Sequence, residues 1–223
     1  MKSKIFIHIP KCGGSTVRTY FGKPNAGEKI IRIYGDGAFN NTSYTVSRFQ
    51  KEFTTGLTNG QKVIGHIMYD ELVPVLKNTS DDVEIHTCVR NPIDRVISLI
   101  NYIKTKNRLI HINQENMFEY IKNHLQKRGK NFQCNFLGLP KHYIDIRSIT
   151  DSIHVYKMEN QFELIEQVNP KIQVEEIEPC NVTRQRKVSH KPNYINIDML
   201  KVDEQSQLLE ICQLDYELYM KAK

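Results

Sequence analysis

The chain begins with an apolar run, Ile5-Phe6-Ile7-His8-Ile9, that stops at Pro10-Lys11 and is followed at once by Cys12-Gly13-Gly14-Ser15-Thr16. A short run dominated by β-branched and aromatic side chains has the length and composition of a buried strand. Two glycines in succession permit a tight reversal, and hydroxyl residues at the start of the next periodic segment suit the first turn of a helix. A buried strand turning directly into a helix is the opening unit of a layered α/β fold, so this segment restricts the architecture more than any other. Its parts also make an anion cradle. The glycines let the backbone come close, the helix N-terminus offers unpaired N–H groups and a partial positive charge, and Lys11 adds a full one. Ordinary strand-to-helix turns use Gly and Ser as well, so the segment alone leaves phosphate binding and simple chain reversal both open.

The rest of the chain repeats the alternation. Strands are expected at Lys4 to Ile9, Lys29 to Ile33, Lys62 to Ile67, Val83 to Val89 and Ile153 to Tyr156. Helices are expected at Ser15 to Phe21, Tyr44 to Phe53, Asn113 to Gln126 and Glu159 to Val168. Another follows Pro92 to about Lys104, with Ile93, Val96, Ile97, Ile100 and Ile103 on one face, and a terminal helix runs from Asp203 with Leu208, Ile211, Cys212, Tyr216 and Tyr219 inward. The pattern predicts a three-layer α/β sandwich around a central parallel sheet. Loops are expected at Gly35 to Asn41, Leu139 to Ser152 and Pro179 to Tyr194. With 223 residues and no repeat or long Gly/Pro-rich linker, residues 1–223 are expected to form one domain.

Hydrophobic residues at 39% and charged residues at 25% exclude a disordered or collagen-like chain. No run approaches the ~20 apolar residues of a membrane span, and Met1 to Lys4 leads straight into the first strand without a signal peptide's apolar segment. Cys12, Cys88, Cys134, Cys180 and Cys212 are scattered, odd in number and without metal-ligand spacing. The chain therefore reads as soluble and cytoplasmic, with reduced thiols and no metal; nothing in it fixes an oligomeric state. The net charge of +6 suits an anionic partner without choosing among a phosphorylated cofactor, an acidic glycan and nucleic acid.

A second constellation narrows the choice. In Ile85-His86-Thr87-Cys88-Val89-Arg90-Asn91-Pro92 an apolar strand ends on an arginine, a helix begins, and Ser98 follows eight residues after Arg90. An arginine at the carboxyl end of a strand can fork onto a phosphate, and a serine one to two turns into the next helix can donate to it. The first loop is not a Walker A motif, since Lys11 precedes both glycines instead of following the second.

Together the two segments resemble the sulfotransferases that use 3'-phosphoadenosine-5'-phosphosulfate, in particular the carbohydrate branch that contains heparan 2-O-sulfotransferases. Loops of that branch look like HIPKTGGTS, and its second motif reads V-R-D-P; here Asn91 replaces the aspartate, which would mainly cap the helix. Weaker likenesses are Val63-Ile64-Gly65-His66, Asn131-Phe132-Gln133-Cys134-Asn135-Phe136-Leu137-Gly138, Glu159-Asn160-Gln161-Phe162 and Asp215-Tyr216-Glu217-Leu218-Tyr219, so the resemblance runs from about Ile5 to Tyr219. It implies a P-loop-like sulfotransferase fold and transfer of a sulfuryl group to a hydroxyl, with a glycan as acceptor.

The resemblance also implies roles. Pro10, Lys11, Cys12, Gly13, Gly14, Ser15 and Thr16 would hold the 5'-phosphosulfate, and Arg90 with Ser98 the 3'-phosphate. Lys11 would offset charge on the leaving phosphate, and His66, following Gly65, would be the general base that an alcohol nucleophile needs. Rivals for the base are His8, Asp70 and Glu71. A histidine base with an ordinary pKa of ~6.5 gives a rate that rises through neutrality. The helix N-terminus is expected to depress the Cys12 thiol's pKa without giving it a catalytic role. The basic stretch Thr183 to Lys191 reads as a solvated loop that could also close over the cofactor or attract an anionic acceptor. A nucleotide or nucleoside kinase would share the phosphate turn but should carry a Walker lysine. A nucleic-acid-binding module would show exposed aromatics among its basic residues, whereas most aromatics here fall on core stripes.

Overall fold

All five expected strands are present in a computed structural model of the chain, which describes residues 2–23, 27–34, 43–80, 82–105, 112–170, 172 and 194–223. They are β1 (Ser3–Ile7), β2 (Lys29–Ile33), β3 (Gln61–Gly65), β4 (Val83–Val89) and β5 (His154–Lys157). The helices are α1 (Gly14–Phe21), α2 (Val46–Glu52), α3 (Tyr69–Leu76), α4 (Pro92–Thr105), α5 (Met117–His124), α6 (Phe132–Phe136), α7 (Ile146–Ser152), α8 (Gln161–Val168), α9 (Val202–Ile211) and α10 (Gln213–Lys221). The strands form one parallel sheet in the order β2-β3-β1-β4-β5. The expected loops at 35–41 and 179–193, and the basic stretch at 183–191, lie outside the described residues.

Burial on both faces explains why the strands read as continuous apolar runs. Side chains alternate across a strand, so Ile5 and Ile7 join Val63, Ile85, Val89 and Val155 on one face, while Phe6 joins Ile64, Cys88 and Tyr156 on the other. Val17 and Phe21 of α1 and Leu164, Ile165 and Val168 of α8 cover the second face. Phe49 of α2, Leu72 and Val75 of α3, Ile149 of α7 and Leu218 of α10 cover the first. The result is the expected three-layer sandwich. A further cluster joins α4, α5 and α9 through Ile93, Val96, Ile97, Ile100, Met117, Ile121 and Leu208, whereas Ile103 is only half-buried. Each edge strand takes a further backbone contact: Tyr44 N–H donates to Arg32 O (2.7 Å), and Lys223 pairs with β5 through Lys157 N–H to Lys223 O (2.7 Å) and Lys223 N–H to Val155 O (3.0 Å).

Four elements differ from expectation. The stretch Leu139 to Ser152 contains α7, started by Asp145, whose carboxylate accepts from Ser148 N–H (2.8 Å). Helix α3, which contains Pro74, and helix α6 are not among the expected helices. The terminal helix breaks at Cys212 (φ −117°, ψ 39°), and Asn131 Oδ1 caps the new start by accepting from Leu214 N–H (3.1 Å) and Asp215 N–H (3.4 Å). Leu208 and Cys212 are buried as expected, but Ile211, Tyr216 and Tyr219 only partly so, because α10 turns Asp215 and Leu218 inward instead.

One charge sits inside the sheet layer. Lys62 of β3 is buried and its Nζ lies 2.7 Å from Glu28 Oε2. Removing one partner of a buried pair strands the other charge, so Glu28→Ala is expected to lower the unfolding free energy by about 3–5 kcal/mol. Denaturant titration measures this, and a loss near zero would mean that Lys62 reaches water in the variant.

Candidate functional site

The residues singled out from sequence gather at the carboxyl ends of adjacent strands. His66 follows β3, Lys11 lies four residues past β1, and Arg90 follows β4. From β1 the chain leaves towards β2, whereas from β4 it continues to β5 on the other side. The crevice outside β1 and β4 is therefore the topological switch point at which open α/β sheets bind ligands. Neighbouring strands lie about 4.8 Å apart, so the ends of β3 and β4 are separated by roughly 10 Å, within the span of a nucleotide.

The first loop reverses through two residues in the left-handed region, Lys11 (φ 70°) and Gly13 (φ 76°). Cys12 N–H bonds back to Ile9 O (3.3 Å), and Thr16 N–H bonds back to Gly13 O (3.2 Å). Gly13 is the N-cap of α1, and among the described residues no side chain caps the helix. Among the described residues, no acceptor takes the N–H groups of Gly14 and Ser15, which leaves the positive end of α1 to an outside anion. Ser15 and Pro10 are half-buried, while Thr16 is buried with its side chain and has its N–H engaged, so the loop's N–H donors are centred on Gly14 and Ser15. Lys11 Nζ lies 4.5 Å above the ring of Tyr102. Ser98 and Tyr102 are four residues apart on α4 and share a face, so this contact brings Lys11 to the side of α4 that carries Ser98.

The glycines do more than admit an anion. A Cβ on Gly14 would stand 2.2 Å from His8 Cδ2, and one on Gly13 would stand 2.4 Å from Met158 Cγ. Gly14→Ala therefore forces the His8 ring to move and is expected to cost about 1–3 kcal/mol of stability, as overpacking in a filled core does. An unchanged denaturation midpoint would show that the ring relocates freely.

His8 is buried, with Nδ1 3.0 Å from Tyr34 Oη. Burial, with the nearby charges of His66, Arg18 and Lys11, pushes its pKa down to about 2, so His8 stays neutral. His66 stacks on it at 4.2 Å between ring centroids, and Tyr34 meets His66 edge-on at 5.0 Å. His66 Nδ1 is 2.7 Å from the carbonyl oxygen of His8. A carbonyl can only accept, so Nδ1 carries the proton and Nε2 carries the lone pair. More than a third of His66 is open to solvent. Its covered face nonetheless lowers its pKa through desolvation and the charge of Arg18, against an opposing push from the His8 carbonyl. The imidazole is thus neutral and oriented, with its basic nitrogen free of the internal hydrogen bond.

The carboxylate rivals are engaged elsewhere. Asp70 pairs with Lys141 Nζ (2.9 Å) and His142 Nε2 (2.7 Å), and these contacts, the Lys141 hydrogen bond first, hold its carboxyl below the usual range. Glu71 Oε2 accepts from Met68 N–H (2.7 Å) at the start of α3. The Cys12 thiol departs from expectation: burial pushes its pKa up to about 12, outweighing the nearby Arg95 and Arg90 charges. Its Sγ donates to Gln133 Oε1 (3.1 Å) inside the protein.

In the second loop Asn91 Oδ1 accepts from Ile93 N–H (3.0 Å) and Asp94 N–H (3.4 Å), the capping role for which Asn can replace Asp. Arg90 is half-buried, and among the described residues no hydrogen bond or ion pair engages its guanidinium. Gln133, Tyr34, Arg18 and Tyr102 also belong to the site. Gln133 stood in a stretch with a sequence signal; the other three had none.

No family model matches the sequence, and no curated protein matches it significantly. Among solved structures the chain is similar to a sulfotransferase from Alicyclobacillus acidocaldarius, with a TM-score of 0.52 and 11% identity over 98% of this chain and 94% of that one. Mouse sulfotransferase SULT7A1, complexed with PAP, matches at a TM-score of 0.40 and 15% identity over 99% and 89% of the two chains. The first superposition shows that the two chains share a fold, a layered α/β fold around a parallel sheet.

Proposed function

We propose that the chain is a sulfotransferase that uses 3'-phosphoadenosine-5'-phosphosulfate and a hydroxyl-bearing acceptor, a carbohydrate. The observation that carries this assignment is the state of His66: neutral, with its tautomer set by the His8 carbonyl, at the end of the strand beside the anion-binding turn. The residues present fit the donor, since among the described residues no side chain caps α1 at the first loop and no hydrogen bond or ion pair engages the Arg90 guanidinium at the second. When bound, the donor supplies an electrophilic sulfur attached to a phosphate leaving group. His66 Nε2 takes the proton of the acceptor hydroxyl as its oxygen attacks. Lys11 and the first N–H groups of α1 offset charge on the departing phosphate. Arg90 and Ser98 hold the 3'-phosphate, which distinguishes the donor from ATP. The chemistry is positional and electrostatic and needs no metal. The carbohydrate acceptor rests on the resemblance of Ile5 to Thr16 and Ile85 to Ser98 to the heparan 2-O-sulfotransferase branch, and the net charge of +6 suits an acidic glycan.

Thermal unfolding with adenosine 3',5'-bisphosphate and with ADP tests the donor assignment. At a concentration of 100 Kd the bisphosphate should stabilise the fold by ~2.7 kcal/mol, and ADP at the same concentration by far less. Equal shifts would overturn it and favour the kinase-like rival. Sulfate incorporation into a panel of desulfated glycosaminoglycans tests the acceptor.

A further inference from the structure

We infer that Gln133 is a positioning residue that locks the two phosphate-binding loops to each other, so that an anion seated at the first loop steadies the arginine at the second; the inference rests on the sulfotransferase assignment. Gln133 is fully buried on α6, 121 residues from Cys12 and 43 from Arg90. Its side-chain amide reads the whole backbone of Arg90: Oε1 accepts from Arg90 N–H (2.9 Å), and Nε2 donates to Arg90 O (2.8 Å). The same Oε1 accepts from Cys12 Sγ (3.1 Å) in the first loop. At neutral pH a primary amide offers a donor and an acceptor side by side, as a peptide pairing in a sheet does, whereas a carboxylate only accepts. Fixing both polar atoms of Arg90 fixes the direction of its Cα–Cβ bond and so restricts the region its guanidinium can reach, and among the described residues no hydrogen bond or ion pair engages that guanidinium.

Gln133 is itself held by a reciprocal pair of caps. Asp215 accepts from Gln133 N–H (3.1 Å) and Cys134 N–H (2.9 Å) at the start of α6, while Asn131 on that side caps α10 at Leu214 and Asp215. Two stretches that resemble sulfotransferase segments, Asn131 to Gly138 and Asp215 to Tyr219, thus form one anchor whose inner end is the Gln133 amide. A buried apolar side chain would fill this space without needing partners. Here a polar group spends its hydrogen bonds on both loops.

The test compares affinities for adenosine 3',5'-bisphosphate and AMP by calorimetry in the wild type, Gln133→Glu and Gln133→Met, with unfolding midpoints measured alongside. The ratio of the two affinities reports the 3'-phosphate contact, which a purely structural residue would leave alone. In Gln133→Met the ratio should fall at least about tenfold at every pH, the worth of one misplaced charge-assisted hydrogen bond. In Gln133→Glu it should fall at neutral pH, where carboxylate faces the Arg90 carbonyl, and recover in acid, where the protonated acid again donates. The wild type should show no such recovery. An unchanged ratio in both variants, or parallel loss of both ligands with the unfolding midpoint, overturns the inference while leaving the sulfotransferase assignment standing. A wild type without preference for the bisphosphate removes that assignment and the inference with it. Should neither variant fold, hydrogen exchange on the wild type decides: AMP should slow exchange of the Arg90 amide, and unaltered exchange overturns the coupling.

Discussion

Replacing His66 with alanine is expected to lower kcat by about 10²- to 10⁴-fold, the usual worth of a positioned base, while leaving bisphosphate affinity nearly unchanged. The split between rate and affinity follows from geometry. His66 lies at the end of β3, and the groups assigned to hold phosphate lie after β1 and β4. A residue that acts only on the acceptor's proton contributes in the transition state and not to donor binding. The pH profile adds a second readout. Desolvation and Arg18 lower the His66 pKa below its ordinary 6.5, so the imidazole is already in its basic form at neutral pH. The rate in the wild type should therefore be flat through neutrality and fall only as acid protonates Nε2 below pH 6.5, in place of the rise through neutrality expected of an unperturbed histidine. A carboxylate base would give a similar plateau, so mutation must separate them. Near wild-type turnover in His66→Ala would end the assignment, and with Asp70 and Glu71 already engaged it would leave neither of them prepared for the role.

How far the sequence reveals this site depends on the range of the interaction concerned. Strands β1 and β4 are legible because burial on both faces imposes continuous apolar runs, and the turn at Lys11 to Gly14 is legible because left-handed backbone favours glycine. Asn91 is legible because a cap is satisfied within three residues. The tautomer of His66 is not, since it is set by the carbonyl of a residue 58 positions away on a neighbouring strand end. Nor is the reason for Gly14. Its place in a glycine pair suggests room for an anion, yet the nearest occupant of that room is the His8 ring. The Cys12 thiol fails in the same way: position in the chain puts it at a helix N-terminus, which lowers a thiol's pKa, but burial, invisible locally, dominates and raises it. The break at Cys212 is hidden too, because Asn131 makes the second helix start from 83 positions away.

The second large effect is expected at Arg90. Arg90→Ala should abolish the preference for adenosine 3',5'-bisphosphate over ADP, a loss of about 1.5–3 kcal/mol for an unmade charge-assisted contact, or roughly 10- to 150-fold in affinity. The fold should survive, because what holds this segment is its backbone. Gln133 pairs with the N–H and C=O of residue 90, and Asn91 caps α4, and neither uses the Arg90 side chain. The truncation does remove a charge that counters the burial of Asp94, whose carboxyl desolvation already pushes up, so the Asp94 pKa should rise further. Arg90→Lys separates charge from shape: it keeps the positive charge but not the planar fork, and should retain only part of the preference. Isothermal titration with both nucleotides, at fixed ionic strength because screening weakens exposed charges, reads the effect directly. A preference that survives Arg90→Ala in a folded protein would mean that the 3'-phosphate is held elsewhere, and the pairing of Arg90 with Ser98 would have to be given up.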